Sequence, residues 1–395
     1  MQIVEKPKKI DYSIFNKNNK NLEARYGLPQ SIVYCVKCVQ SNQLPRSTTE
    51  FENTIENKKK TLNFNENNIC DACLFAEKKK NIDWKEREKE LIQLCNKYRK
   101  DDGSYDCVVP GSGGKDSIFA AHILKHKYNM NPLTVTWSPS LYTDWGYKNW
   151  KNWLNAGFDN VLFTPNGRTH RLLTRLSLEK LLHPFQPFIL GQKTLAAKIA
   201  KMYEIPLIFY GEQEAEYGTT LEKSSSSKVS DLLFSTEKEY LNLSLGGVKV
   251  EDLIKYFGLK KNNLKCYLPE QKRVIKDFKI DFHYLGYYLK WHPQSCYYYS
   301  VENTKFEASP ERTSGTYSKY SSIDDKVDDL HYYTTFIKFG IGRATYDVSQ
   351  ELRNDHLTTA EGKKLIKKYD GEFPDRYFNE IMQYLNINKN YFHHL

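Results

Sequence analysis

From about Asp83 to Lys100 the apolar residues Trp84, Leu91, Leu94, Cys95 and Tyr98 recur at helical spacing among charges, which predicts an amphipathic helix. Asp101-Asp102-Gly103 stops that helix and marks a boundary between domains. Beyond it the period changes repeatedly. Val108-Val109, Pro132 to Trp137, Asn160 to Thr164 and Pro206 to Tyr210 are short apolar runs expected as strands. Helical signals lie between them: Ile118 to Ala121, Trp145 to Leu154, Arg171 to Leu182 and Thr194 to Tyr203. Strands separated by helical stretches predict βαβ units and a parallel sheet, hence an α/β fold. Ser224–Ser227 has the composition of a flexible linker or lid, and the pattern after it is mainly helical. The expected division is an N-terminal module over 1–82, the α/β domain over 83–223, and a mainly helical C-terminal region over 224–395. That last region holds two dense aromatic clusters, Tyr284–Trp291 and Tyr297–Tyr299, suited to base stacking or to a tyrosine-rich core or subunit contact.

The first strand runs into the chain's most informative stretch, Gly111-Ser112-Gly113-Gly114-Lys115-Asp116-Ser117. Glycines let the backbone approach an anion, and free N–H groups at a helix start point at it. Ser112, Lys115 and Ser117 add hydroxyl donors and a positive charge, so the loop suits a phosphate chain. It is not the Walker A pattern, which places four residues between Gly and the Gly-Lys-Ser/Thr end. The plainer alternative is a glycine-rich helix entry with no ligand.

Ligands of parallel sheets sit at the carboxyl ends of the strands. Four loops should therefore meet: Gly111–Ser117, Trp137–Asp144, Thr164–Arg171 and Gly211–Gly218. The last carries Glu212, Glu214 and Glu216 directly after a buried strand. Carboxylates facing a phosphate loop call for a cation between them, and Mg²⁺ shared with pyrophosphate oxygens fits; a charged surface loop is the alternative. Asn166, His170 and Arg171 in the third loop are candidates for substrate, with His170 equally open to a structural role. Lys338-Phe339-Gly340-Ile341-Gly342-Arg343 combines small residues with two cations and suggests a second backbone–anion approach.

Upstream, Cys35-Val36-Lys37-Cys38 and Cys70-Asp71-Ala72-Cys73 form two C-x-x-C knuckles. Each tight bend presents two sulfurs on one side, and two bends supply the four thiolates of a tetrahedral Zn²⁺ site. Their separation, residues 39–69, exceeds the roughly 15–20 residues of common zinc modules. An iron–sulfur cluster would use the same ligands. With all four positions filled by protein, the expected role is structural. The polar segment between, including Lys58-Lys59-Lys60, is expected as a loop around the metal.

Composition narrows the class. The 395 residues carry a formal charge of +10 with 58 Lys+Arg against 48 Asp+Glu, which suits anionic ligands such as nucleotides, nucleotide-sugars or RNA. The lysines are scattered through Asn-rich stretches rather than gathered in a stripe, so most of the charge belongs to a solvated surface. Twenty-nine Tyr and 20 Phe exclude a disordered chain. No apolar run approaches the roughly 20 residues of a membrane span, and Met1 to Lys20 lacks an apolar signal core. A cytoplasmic protein with reduced cysteines is expected.

Ser112-Gly113-Gly114-Lys115-Asp116-Ser117 resembles the PP-loop of ATP pyrophosphatases, which cleave ATP between the α- and β-phosphates. With both cysteine knuckles, Pro165-Asn166-Gly167, His170-Arg171, His183 to Phe188, Gly191-Gln192-Lys193, Tyr210-Gly211-Glu212, Glu216-Tyr217-Gly218 and Lys338 to Asp347, the chain resembles the N-acetyl sugar amidotransferases. The likeness runs from about residue 30 to 375; Gln213 stands where Asn is expected after the Gly-Glu pair. It implies a PP-loop fold of the adenine nucleotide α-hydrolase type, preceded by the four-Cys zinc module. It also implies conversion of an N-acetyl group on a bacterial surface sugar into an acetamidino group. Such sugars include pseudaminic or legionaminic acid and diacetamido-uronic acids of flagella, O-antigen or lipopolysaccharide, carried as nucleotide-sugars or made on that route. Ammonia would come from a separate glutaminase with a cyclase-like companion, since the chain shows no plausible glutaminase domain of its own.

On this resemblance, ATP would be held by Gly111, Ser112, Gly113, Gly114, Lys115, Asp116 and Ser117, with Trp137, Lys193 and Arg343 around it. Lys115, Asp116, Glu212, Glu216 and His170 would carry catalysis, Glu212 and Glu216 would hold Mg²⁺, and Asn166, Arg171 and Gln186 would touch the sugar. Cys35, Cys38, Cys70 and Cys73 would bind structural zinc. Two rivals remain in view. A tRNA thiolase also pairs cysteine knuckles with such a loop, but its chemistry usually needs a cysteine pair after the loop; only Cys266 and Cys296 follow, in apolar, tyrosine-rich settings. A non-catalytic zinc-ribbon interaction protein is the other, and intact Lys115, Asp116 and Glu212 argue against it. Nucleic acid and membrane are not the expected partners.

Overall fold

The computed structural model describes residues 28–29, 31–45, 60–218, 225–229 and 234–395. Met1–Lys20, residues 46–59 of the loop between the knuckles including Lys58 and Lys59, and Ser224 lie outside them.

The sheet is built from β1 (Cys107–Pro110), β2 (Pro132–Trp137), β3 (Asn160–Phe163), β4 (Leu207–Tyr210) and β5 (Asp281–Tyr284). All pairings are parallel, in the order β3-β2-β1-β4-β5. The helices of eight residues or more are α1 (Asp71–Lys80), α2 (Trp84–Tyr98), α3 (Lys115–His126), α4 (Asp144–Asn155), α5 (Gly167–Leu181), α6 (Gln186–Met202), α7 (Val250–Phe257), α8 (Pro293–Thr304), α9 (Val327–Phe339), α10 (Arg343–Arg353), α11 (Thr359–Tyr369) and α12 (Asp375–Leu385).

Both faces of the sheet are covered, which is why its strands are apolar runs rather than alternating ones. Alternation survives as a choice of face. Val108, Leu133, Ile208 and Phe282 join one core with Leu190, Leu195 and Ile199 of α6. Cys107, Val109, Leu207 and Phe209 join the other with Leu91 of α2 and Ile118 and Leu124 of α3. The expected strands and α2 form where the apolar pattern put them. α6 begins earlier than expected, at Gln186, because Pro187 is tolerated in a first helical turn, where an N–H has no partner anyway. α5 begins at Gly167 because the Asn166 side chain caps it. β5 comes from the stretch expected to be mainly helical C-terminal sequence. Its four residues follow β4's register from Leu207↔Asp281 to Tyr210↔Tyr284, so the sheet draws on both sides of residue 223.

α6 packs so closely on β2 that a Cβ on Gly191 would lie 2.4 Å from the Trp137 ring. Gly191→Ala is expected to destabilise the protein by about 1–3 kcal/mol, since a buried indole has nowhere to move. A denaturant midpoint shifted down with an unchanged m-value would register this.

Candidate functional site

The chain adds β2 and β3 on one side of β1 and then returns to place β4 on the other, so β1 and β4 flank a topological switch point. At such a point the two following loops diverge and leave a crevice. The loop after β1 carries Ser112 to Lys115, and the loop after β4 carries Gly211 and Glu212. Gly113 takes φ +83°, and a Cβ there would sit 2.8 Å from the Trp150 backbone, so only glycine lets the loop turn this tightly. Gly114 then precedes α3, whose first N–H groups open toward the crevice.

Lys115, Asp116 and Glu212 meet there. Lys115 is buried and ion-paired with Asp116. Burial works against its charge, but the carboxylates of Asp116 and Glu212 outweigh this and raise its pKa to about 12. Glu212 moves the other way for a carboxylate: burial and the neighbouring Asp116 push its pKa up. Tyr217 donates its hydroxyl to Glu212, and the Trp291 indole N–H donates to Asp116 Oδ1 at 3.1 Å. Two half-buried carboxylates that repel one another beside one lysine form a donor set suited to a divalent cation.

These residues form one end of a cleft of about 1120 Å³. The C-terminal region also lines it, with Asp324, Asp328 on α9, and Arg343, Asp347 and Gln350 on α10. Arg343 is paired with Asp347 at 3.1 Å and with the Tyr332 hydroxyl. Burial raises the Asp328 pKa to about 8 despite the nearby Arg343, leaving it a hydrogen-bond donor near neutral pH. Asp324 accepts a hydrogen bond from Ser112, joining this region to the glycine-rich loop.

Several expected site residues lie elsewhere. Glu216 does not join Glu212; it is buried in an ion pair with Lys79 of α1. His170 is a core histidine, with Nε2 3.1 Å from the Ser140 hydroxyl and Nδ1 3.0 Å from that of Tyr267. Trp137 is buried beneath Gly191 and packs edge-on against Tyr267. Asn166 is spent as a helix cap, accepting from Arg168 and Thr169 N–H at 3.1 Å each. Arg171 lies over the Tyr384 ring at 5.1 Å, and Gln186 Oε1 accepts from Gly246 N–H at 2.8 Å. Lys193 falls outside the cleft wall, to which its neighbour Gln192 contributes. Ser117 donates its hydroxyl back to the Gly114 carbonyl at 2.9 Å. Trp291, Asp324 and Asp328 were missed. The acidic run Asp324-Asp325-Lys326-Val327-Asp328-Asp329, placed in an otherwise apolar helix start, was the available signal.

Burial drops the His170 pKa to about 4, against 6.5 ordinarily. Between those values the unfolded chain binds the extra proton, so stability present above pH 6.5 is lost as pH falls toward 4. His170→Gln should flatten that slope, by at most about 3 kcal/mol, and leave neutral-pH turnover unchanged. Urea titrations across that window would check it.

The four cysteines are brought together and buried, with their sulfurs all within 4.8 Å of one another. Cys35 and Cys73 sulfurs are 3.7 Å apart, and those of Cys38 and Cys70 3.5 Å. A Zn–S bond of about 2.3 Å gives a tetrahedron edge of about 3.8 Å, so the set fits one tetrahedral ion. A four-iron cluster gives each thiolate its own iron and spreads the sulfurs wider. The module packs Ile341 of the C-terminal region into its own core.

Sheet order, glycine-rich loop, four-cysteine module and helical C-terminal region together define an α/β protein built on a parallel sheet. Residues 314–395 match the family model described as LPS biosynthesis protein WbpG-like, C-terminal domain. That match supports the N-acetyl sugar amidotransferase family and a role in sugar biosynthesis, and it covers α9 to α12, including the cleft wall with Arg343. Uncharacterized protein MJ1599 of Methanocaldococcus jannaschii is 36% identical over 77 residues, covering 20% of this chain and 27% of that protein. The matched stretch thus spans about a quarter of that relative. The U34-tRNA thiolase NcsA from Methanococcus maripaludis, with its 4Fe–4S cluster, superposes with TM-score 0.31 and 11% identity over 85% of this chain and 86% of that one. None of the described helices is long and apolar enough to cross a membrane.

Proposed function

We propose that this chain is an ATP-dependent amidotransferase that turns the N-acetyl group of a bacterial surface sugar, free or nucleotide-linked, into an acetamidino group. The observation that carries this reading is the cleft of about 1120 Å³, which is lined both by the glycine-rich loop with Lys115, Asp116 and Glu212 and by residues of the WbpG-like domain. Ligand pockets run to roughly 1,000 Å³, so this one has room for a nucleotide-sized ligand.

An acetamide is a poor electrophile because its nitrogen donates into the carbonyl. Attack of its oxygen on the ATP α-phosphate forms the O–P bond and releases pyrophosphate; loss of the amide proton leaves an O-adenylyl imidate. Ammonia adds to that carbon, a proton moves from the added nitrogen to the original one, and AMP leaves with the oxygen. Lys115 and the α3 N–H groups bind the phosphates. Mg²⁺ held by Asp116 and Glu212 would supply charge neutralisation for the departing pyrophosphate. Arg343, Asp328 and Gln350 would bind the sugar, replacing Asn166, Arg171 and Gln186 in that role. Zinc in Cys35, Cys38, Cys70 and Cys73 would be structural, and ammonia would arrive unprotonated from a partner glutaminase.

The thiolase alternative gains nothing from its cysteines. Cys266 packs beside Tyr267 in one core, while Cys296 is buried in the first turn of α8 near Lys115, with its thiol pushed well up by desolvation. Pyrophosphate release from Mg-ATP and ammonium chloride, across N-acetylated sugars and nucleotide-sugars, tests the reading. The expected product is about one mass unit lighter, since NH replaces O. Release that responds to tRNA and a sulfur donor, and to no sugar, would overturn it.

A further inference from the structure

Lys79, near the end of the helix that springs from the second cysteine knuckle, is only 6% exposed. A buried ammonium is tolerated only when paired and hydrogen-bonded. Its partners come from two distant segments. One is the Glu216 carboxylate, on the turn that also presents Tyr217 to Glu212. The other is the Trp291 carbonyl, 2.6 Å away, and the same tryptophan's indole N–H holds Asp116 Oδ1 at 3.1 Å. From the far side Arg353 donates to the Glu216 carbonyl at 3.0 Å while facing Cys38, Cys70 and Cys73 electrostatically. The loops bearing Asp116 and Glu212 are thus fastened at one point, and that point belongs to the metal module.

We propose that Lys79 is a positioning residue through which the four-cysteine module sets the nucleotide site, holding the Glu212 turn and, by way of Trp291, Asp116 in the arrangement that receives Mg-ATP. The reason is geometric: the Glu216 carboxylate and the Trp291 carbonyl converge on one buried ammonium, so the turn bearing Glu212 and the tryptophan that holds Asp116 are fixed relative to each other. The inference rests on reading the loop as an ATP site.

Binding of Mg-ATP to the full chain, by calorimetry, tests it alongside metal content and thermal melting. The double variant Lys79→Met/Glu216→Leu removes both charges and fills their space, a change that is often neutral for stability. It should keep its metal and its melting midpoint yet bind Mg-ATP about tenfold more weakly. Lys79→Arg, which keeps the charge and the donors, should recover most of that loss. Trp291→Phe keeps the backbone carbonyl for Lys79 and an aromatic ring in place but removes the indole N–H that holds Asp116, so it should weaken Mg-ATP comparably. Wild-type affinity in a folded double variant, or in Trp291→Phe, overturns the proposal. Failure of the wild-type chain itself to bind Mg-ATP is a different result: it removes the ATP-site reading, and the tether with it.

Discussion

Lys115→Met is expected to lower kcat/KM for pyrophosphate release by about 10²–10³-fold, the usual cost of losing one preorganised donor to a developing charge. The lysine stays charged throughout the working pH range, because Asp116 and Glu212 hold its pKa at about 12 against the pull of burial. Methionine keeps the length and apolar stem but leaves two carboxylates without their cation. Residual activity should therefore demand more Mg²⁺ than the wild type, since the metal alone must then quiet the pair. Lys115→Arg is expected to restore only part of the loss, since a planar fork presents its charge differently from the compact ammonium that pairs with Asp116. Steady-state assays over a Mg²⁺ series, with melting curves as the folding control, would decide. A folded variant releasing pyrophosphate at the wild-type rate would remove Lys115 from the chemistry.

Cys38→Ser should have the largest effect on stability, emptying the metal site and costing on the order of 3–5 kcal/mol. Four sulfurs within 4.8 Å cannot all be thiolates without a cation between them, so metal and local fold stand or fall together. Elemental analysis should find one zinc per wild-type chain and a colourless protein. Iron in place of zinc, with inorganic sulfide, would contradict the single-ion geometry. A serine variant that retained full metal would show that Cys38 is dispensable, against its place 3.5 Å from the Cys70 sulfur in the four-cysteine set.

The parts of the site legible in the chain are those whose residues act as neighbours. Gly111 to Lys115 form a loop because strand, glycines and helix start are contiguous, and the knuckles need only two residues between sulfurs. Glu212 was legible for a similar reason, as the residue that follows a buried strand by two positions. Three of the side chains expected at the site but placed elsewhere share one feature: each is polar, sits on an element next to the loop, and has a partner far along the chain. Glu216 finds Lys79, His170 finds Tyr267, and Gln186 finds Gly246. Spacing says which way a helix face points, and nothing about which distant hydroxyl or ammonium will satisfy a buried group.

By itself the sequence determined the α/β alternation, the glycine turn at Gly111–Lys115 and the pairing of two cysteine knuckles, because each rests on local periodicity or on residues a few positions apart. Only the tertiary structure decided that β5 would extend the sheet beside β4, that Asp324, Asp328 and Arg343 would line the cleft with the loop, and that Lys79 would join the metal module to Glu216 and Trp291. These are long-range choices. They follow from the desolvation cost of buried charges and from the apolar faces that must be covered, and those quantities exist only once the chain has packed.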